Sequence, residues 1–142
     1  MVDTASNAAA SAAVAKLGFA EDQIILELGY DDDVDEALRS QIEDAVDGEL
    51  EDEEYGDVVD GVLLWWRDDD GDLTDVLVDA LTTLDDQGFI VLLTPKVGRP
   101  GEVDPSDIAE AADTAGLQAS ASVNLTKEWS GTKLVTPKSG RR

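Results

Sequence analysis

The run Asp57-Val58-Val59-Asp60-Gly61-Val62-Leu63-Leu64-Trp65-Trp66-Arg67-Asp68-Asp69-Asp70-Gly71-Asp72, with its continuation to Lys96, decides the fold. Val62–Trp66 is continuously apolar, not alternating, as in a strand covered on both faces between layers of helices. Arg67–Asp72 breaks the run. Leu73, Val76, Leu77, Ala80, Leu81 and Leu84 then recur at helical spacing. Asp72 is placed to cap that helix, and Asp75 sits in its first turn, where the helix dipole favours negative charge. Gly88 follows, and Phe89–Leu93 forms a second buried strand, stopped by Thr94-Pro95-Lys96. Strand, helix, strand at this spacing is a βαβ unit with parallel strands.

Working outward, Gln23–Gly29 reads as a preceding strand. Glu27 is out of place in a buried strand and is expected to face a polar edge. Gly29-Tyr30-Asp31-Asp32-Asp33 turns into a helix from about Val34 to Val46, with Val34, Leu38, Ile42 and Val46 as its apolar stripe. A short edge strand is expected around Glu49–Glu51, before an acidic loop. The Ala-rich residues 1–18 predict a short helix capped by Thr4 or Ser6 and closed at Gly18. Beyond Lys96, Val97–Val103 carries two glycines and a proline and is a mobile-loop candidate. Asp104-Pro105 starts a helix that buries Ile108, Ala111, Ala112 and Ala115 and ends at Gly116. Residues 118–136 alternate as a hairpin turning at Lys127–Gly131, and 137–142 form a basic tail. The expected organisation is a single domain over residues 19–136.

Charge is the unusual property. The 142 residues carry 33 acids and 10 bases, a net charge of −23. Residues 1–95 hold 27 acids and 3 bases, whereas 96–142 hold 6 acids and 7 bases. Such a surface repels nucleic-acid backbones and anionic membranes, so neither is expected as a direct partner. Two readings of the acidity stay open: solubility or adaptation to high salt, and attraction of a basic protein partner, including the nucleic-acid-binding face of another protein. With no Cys and no His, disulfides, thiol nucleophiles, histidine triads and Cys/His zinc sites are excluded. Neither a membrane-spanning apolar run nor a signal-peptide pattern is present, which predicts a cytoplasmic protein.

No catalytic residue, cofactor or metal is predicted. Asp68-Asp69-Asp70-Gly71 approaches a calcium-loop pattern, but with Gly71 at the sixth position Trp66 falls at the first, where an oxygen ligand is required. Ligands in open α/β sheets bind beyond the carboxyl ends of the strands. The candidate ligand set there is Gly29, Tyr30, Glu51, Trp66, Lys96 and Arg99. Glu51 lies 22 residues after Gly29, near the spacing of an acid that binds a ribose. Gly29 stands alone, however, and the three aspartates after Tyr30 crowd and repel a pyrophosphate. Trp65 and Trp66 point to opposite faces of their strand. Burial of both is the simpler expectation. The alternative places Trp65, Trp66, Asp68, Asp69, Asp70 and Trp129 at an interface, where Trp is enriched. For Lys96 and Arg99 the simpler reading is pairing with the abundant acids.

Asp60, Val62–Trp66, Leu73–Leu84, Gly88 and Phe89–Pro95, with the closing hairpin, resemble the second half of a class I methyltransferase-type Rossmann domain. That resemblance implies a three-layer sheet with helices on both faces and a C-terminal β-hairpin, trimmed and without the Gly-rich cofactor turn. The chain from about Ala8 to Lys138 is also similar to a family of small acidic actinobacterial proteins, domain-of-unknown-function family 3052. The similarity rests on Leu28-Gly29-Tyr30-Asp31, Gly48-Glu49-Leu50, Val62–Arg67, Asp69–Leu73, Leu92–Lys96, Pro105–Ile108, Ala115–Leu117 and Trp129–Thr132. It implies no activity. The leading expectation is therefore a non-enzymatic interaction or regulatory protein with a basic protein partner. The runner-up is a small-molecule or S-adenosylmethionine-binding transferase domain, and a third reading is a nucleic-acid mimic. Oligomeric state is not legible.

Overall fold

A computed structural model describes residues 14–52, 54–126 and 128–136. Five strands form one mixed sheet in the order β1-β2-β3-β5-β4. These are β1 (Ile25–Leu28), β2 (Val59–Trp65), β3 (Leu84–Pro95), β4 (Gln118–Asn124) and β5 (Trp129–Val135). The first three run parallel, and β5 is inserted antiparallel between β3 and β4. The expected edge strand near Glu49–Glu51 exists only as a parallel bridge between Leu26 and Glu51.

The central unit forms as read, with β1, β2 and β3 joined by α1 (Glu36–Val46) and α2 (Leu73–Leu81). Asp35, Asp72 and Asp104 cap the three helices by accepting from the backbone N–H of Leu38, Asp75 and Ser106. α2 stops three residues short of Leu84, because the Thr82 and Thr83 hydroxyls take the carbonyls of Asp79 and Ala80. Leu84 then pairs with Val59, so β3 starts earlier than its apolar run suggests. α3 (Pro105–Ala115) carries the expected proline start and a left-handed Gly116 at its end.

Alternate side chains of the sheet feed two cores. On one face α2 and α3 cover Val62, Leu64, Ile90, Leu92 and Leu134. On the other, Val14, Leu17, Phe19 and the stripe Leu38, Ile42 and Val46 of α1 cover Ile25, Leu63, Trp65, Val91 and Leu93. This is a three-layer α/β/α arrangement. One expectation is corrected. The hairpin turn is tighter than Lys127–Gly131, because Trp129–Gly131 already belong to β5, opposite Leu93–Pro95 of β3. The Val97–Val103 loop folds back on the sheet end: Asp68 N–H donates to the Gly101 carbonyl at 2.9 Å and Gly98 N–H to the Glu102 carboxylate at 3.0 Å. The Ala-rich start and the basic tail lie outside the described residues, except that 14–16 are helical and Gly18 takes a positive φ of 107°. Among the described residues no helix is long and apolar enough to cross a membrane.

Candidate binding site at the carboxyl ends of strands β1 and β2

Parallel strands β1 and β2 end side by side at Gly29 and Trp65. Gly29 adopts a φ of 80°, and a Cβ there would sit 2.2 Å from the Trp65 carbonyl oxygen, so only glycine fits. Two residues beyond Trp65, Arg67 turns back over this junction. Its Nη1 donates to the Gly29 carbonyl at 2.8 Å and to the Trp65 carbonyl at 3.3 Å. Nε donates to Asp33 at 3.0 Å, and Nη2 bonds the other Asp33 oxygen, completing a fork. Asp70 adds a contact at 3.3 Å. The guanidinium also lies 5.4 Å from the centre of the Trp129 ring, whose Nε1 donates to the Asp33 carbonyl. Burial opposes the Arg67 charge, but the bonds and charges of Asp33 and Asp70 outweigh it and strengthen proton retention. Arg67 in turn holds the Asp33 carboxyl below the usual aspartate range.

A second clamp lies beside the first. Glu27, expected at a polar edge, instead points into the protein with its side chain only 7% exposed. Arg39 of α1 grips both its oxygens at 2.6 and 2.7 Å. Trp65 Nε1, in the core, donates to Glu27 at 2.9 Å. Arg39 also reaches Glu36 at 2.8 Å and lies 4.8 Å from the Tyr30 ring centre. The Tyr30 hydroxyl donates to Glu36. That bond raises the Tyr30 pKa and, with help from Arg39, lowers that of Glu36. Of the three bases in residues 1–95, two are thus fixed in these clamps.

Next to the clamps a groove of about 530 Å³ opens on the α2 side of β1, within the range usual for binding pockets. Leu26, Leu28, Leu64, Val76, Ala80 and Tyr55 supply apolar walls, and Asp31, Asp70 and Asp79 its acidic rim. The groove reaches from Gly29 and Arg67 at the carboxyl ends of the strands to Thr83. The Thr83 carbonyl binds the N–H of Val59, the first residue of β2, so the groove runs the height of the sheet.

The structure brings Gly29, Tyr30 and Trp66 of the expected ligand set together along this groove. Glu51, Lys96 and Arg99 do not line it. Glu51 spends its backbone N–H and carbonyl on Ile25 and Glu27, and Arg99 pairs with Glu128 at 3.5 Å. The expected interface residues also separate. Trp65 and Trp129 are 0% and 2% exposed and pack edge to face at 4.9 Å, so neither offers surface to a partner. Trp66 is buried on the opposite face, and Asp68 lines a separate cleft between α2 and α3. Asp69 is exposed, while Asp70 accepts from the Arg67 N–H and side chain. Among the described residues no group of three or more carboxylates is placed to hold a metal. Sequence reasoning missed Glu27, Asp33, Arg39, Tyr55 and Arg67. The available signal was scarcity: a lone acid in an apolar strand, and two arginines in a region almost without bases.

Parallel β1–β3 flanked by helices and closed by an antiparallel hairpin define a methyltransferase-like Rossmann domain. Solved structures agree: the pyocyanin biosynthetic protein PhzM aligns over 94% of this chain with a TM-score of 0.68 and 13% identity. The mitomycin 7-O-methyltransferase MmcR aligns over 94% with a TM-score of 0.64, also at 13% identity. The chain spans only about half of each, 56% and 55% respectively. A precorrin-6y C5,15-methyltransferase from Geobacter metallireducens, 10% identical, is covered over 90% of its length with a TM-score of 0.63. At such identities the likeness shows the fold alone. The particular family follows from the sequence: residues 14–138 match the model described as "Protein of unknown function (DUF3052)", and the chain belongs to that family. Uncharacterised proteins of Mycobacterium tuberculosis and Mycobacterium bovis are 55% identical over 124 residues, covering 87% of this chain and 78% of theirs.

Proposed function

We propose that this protein is a non-catalytic binding protein on a methyltransferase-like scaffold, acting through a basic protein partner. The observation that carries the non-catalytic part is the Arg67 clamp. In this fold class a dinucleotide or S-adenosyl ligand would lie in the crevice beyond β1 and β2, against a glycine-rich turn and the start of the following helix. Here the Arg67 guanidinium bridges that crevice, bonded to Gly29, Trp65, Asp33 and Asp70. One glycine is followed by Tyr30 and three aspartates, and the Leu38 N–H near the start of α1 is taken by Asp35. A space of about 580 Å³ remains beside Arg39 and Tyr30, but the aspartates that stand in place of a glycine-rich turn disfavour S-adenosylmethionine there. The charge of −23 favours a cationic partner and disfavours nucleic acid.

Thermal unfolding with and without S-adenosylmethionine and S-adenosylhomocysteine tests the first half. The expected result is no shift at millimolar ligand. Ligand at 100 times its dissociation constant would add about 2.7 kcal/mol, and a shift of that size would overturn the reading in favour of a working cofactor pocket.

A further inference from the structure

We propose that the groove between β1 and α2 is the docking seat of the basic partner, and that it takes one amphipathic helix: apolar side chains on the floor, Lys or Arg against the rim. This rests on the basic-partner reading above and assigns it a place. Three observations select the occupant. First, the α2 side of β1 is left open at its carboxyl end, where Leu28 is only partly buried while Leu26 is buried. Leu26 and Leu28 meet α2 on one side and Tyr55 on the other, and what they line is a long groove. Second, the outward edge of β1 cannot accept another strand. The Glu27 N–H donates to the Glu51 carbonyl at 2.7 Å and the Ile25 carbonyl accepts from the Glu51 N–H at 2.8 Å, so the groups that strand addition needs are already used. Contact must come from side chains laid on the face, as a helix presents them in the next position of a layered α/β fold. Third, the charges are one-sided. Asp31, Asp70 and Asp79 rim the groove, and its one cation, Arg67, is held by Asp33 and by strand-end carbonyls. A second copy of this chain would bring another −23 to the same surface, which sets self-association against like-charge repulsion.

The groove lies beside α2, which is nine residues long, so a partner helix of two to three turns matches it. The probe is a peptide of about 14 residues made of Leu and Lys at helical spacing. Its control is a Ser/Lys peptide of equal charge. Both are titrated into the full ¹⁵N-labelled chain at low and at moderate salt. The Leu/Lys peptide is expected to shift the amides of Leu28, Tyr55, Val76 and Asp79 and to saturate. Val76→Trp, which fills the groove, should weaken it about tenfold. Asp79→Lys, an exposed change that keeps the fold, should weaken it about threefold and flatten its salt dependence. Equal binding of both peptides without those amide shifts overturns the groove assignment while leaving a basic partner standing. Unchanged affinity in both variants does the same. Binding of neither peptide at low salt overturns the basic-partner reading as well. Saturation of the groove amides by a small aromatic cation, with no response to the peptide, assigns the groove to a small molecule and overturns the helix.

Discussion

The strand-end crevice and the groove beside it share Gly29, Tyr30 and Arg67, yet the chain treats them in opposite ways. The crevice carries the arginine clamps on its walls, beside a space of about 580 Å³ lined by Glu27, Gly29, Tyr30, Arg39, Asp52 and Glu54. Two arginines, two carboxylate forks and a tryptophan N–H converge there, each charge facing its opposite. The groove receives apolar walls and acids, and its only base is turned away into the clamp. Where basic residues are this scarce, their placement marks what the fold closes. Where they are withheld, the surface keeps an unbalanced field. On a fold shared with methyltransferases, the scarce arginines are spent at the strand ends and the acids are left along the groove beside them.

Four experiments break or sharpen that contrast. The largest effect is expected for Arg39→Leu. It strands the Glu27 carboxylate, 7% exposed, with only the Trp65 N–H, and breaking a buried pair from one side costs about 3–5 kcal/mol in urea unfolding. Pairing it with Glu27→Gln should recover much of the loss, since no charge is then left unpaired. Arg67→Ala should cost less, about 1–2 kcal/mol, because Asp33 is half exposed and rehydrates once released. Because it removes the groove's one cation, it should leave the groove amides responsive to the Leu/Lys peptide and tighten binding modestly. If the response vanishes, crevice and groove are one site.

The third effect is smaller and depends on pH. Asp33 has a folded pKa below its ordinary value because of Arg67, so the unfolded chain binds its proton first as the solution is acidified. Its stabilising contribution is complete above about pH 4 and is lost as pH falls from there through the lowered folded value. Denaturation followed across that range should show a shallower acid limb in Arg67→Ala than in the parent. The smallest effect is a control. Val97→Ser, at a side chain 81% exposed in the loop after β3, should stay within about 0.5 kcal/mol and leave peptide binding unchanged. A larger change would mean that the loop takes part in the clamp.

Much of the fold was legible because it is local. Continuous apolarity in Val62–Trp66 and Phe89–Leu93, the spacing of Leu73, Leu77 and Ala80, and the caps Asp72 and Asp104 are signals that one segment carries by itself. The site was legible only in part. Gly29, Tyr30 and Trp66 were grouped because strand ends are where such sheets bind ligands, and they line one groove. Lys96 and Arg99 were drawn in by the same rule, but they follow β3, while the groove lies at the ends of β1 and β2. Trp129 was misplaced because three residues read as turn, Trp129–Gly131, belong to β5, which sets its ring in the core beneath Arg67.

The sequence by itself determined the α/β class, the order of helices and strands, the acidic field and the absence of thiol and imidazole chemistry. Composition, periodicity and capping are properties of the chain before it folds. Only the tertiary structure decided that Glu27 faces Arg39, that Arg67 returns over Gly29 to Asp33, and that a groove is left beside Leu26 and Leu28 of β1. Partners 12 and 34 residues apart meet only because parallel strands carry their carboxyl ends to the same edge of the sheet. Among so many acids, no spacing rule singles out the two that an arginine will reach.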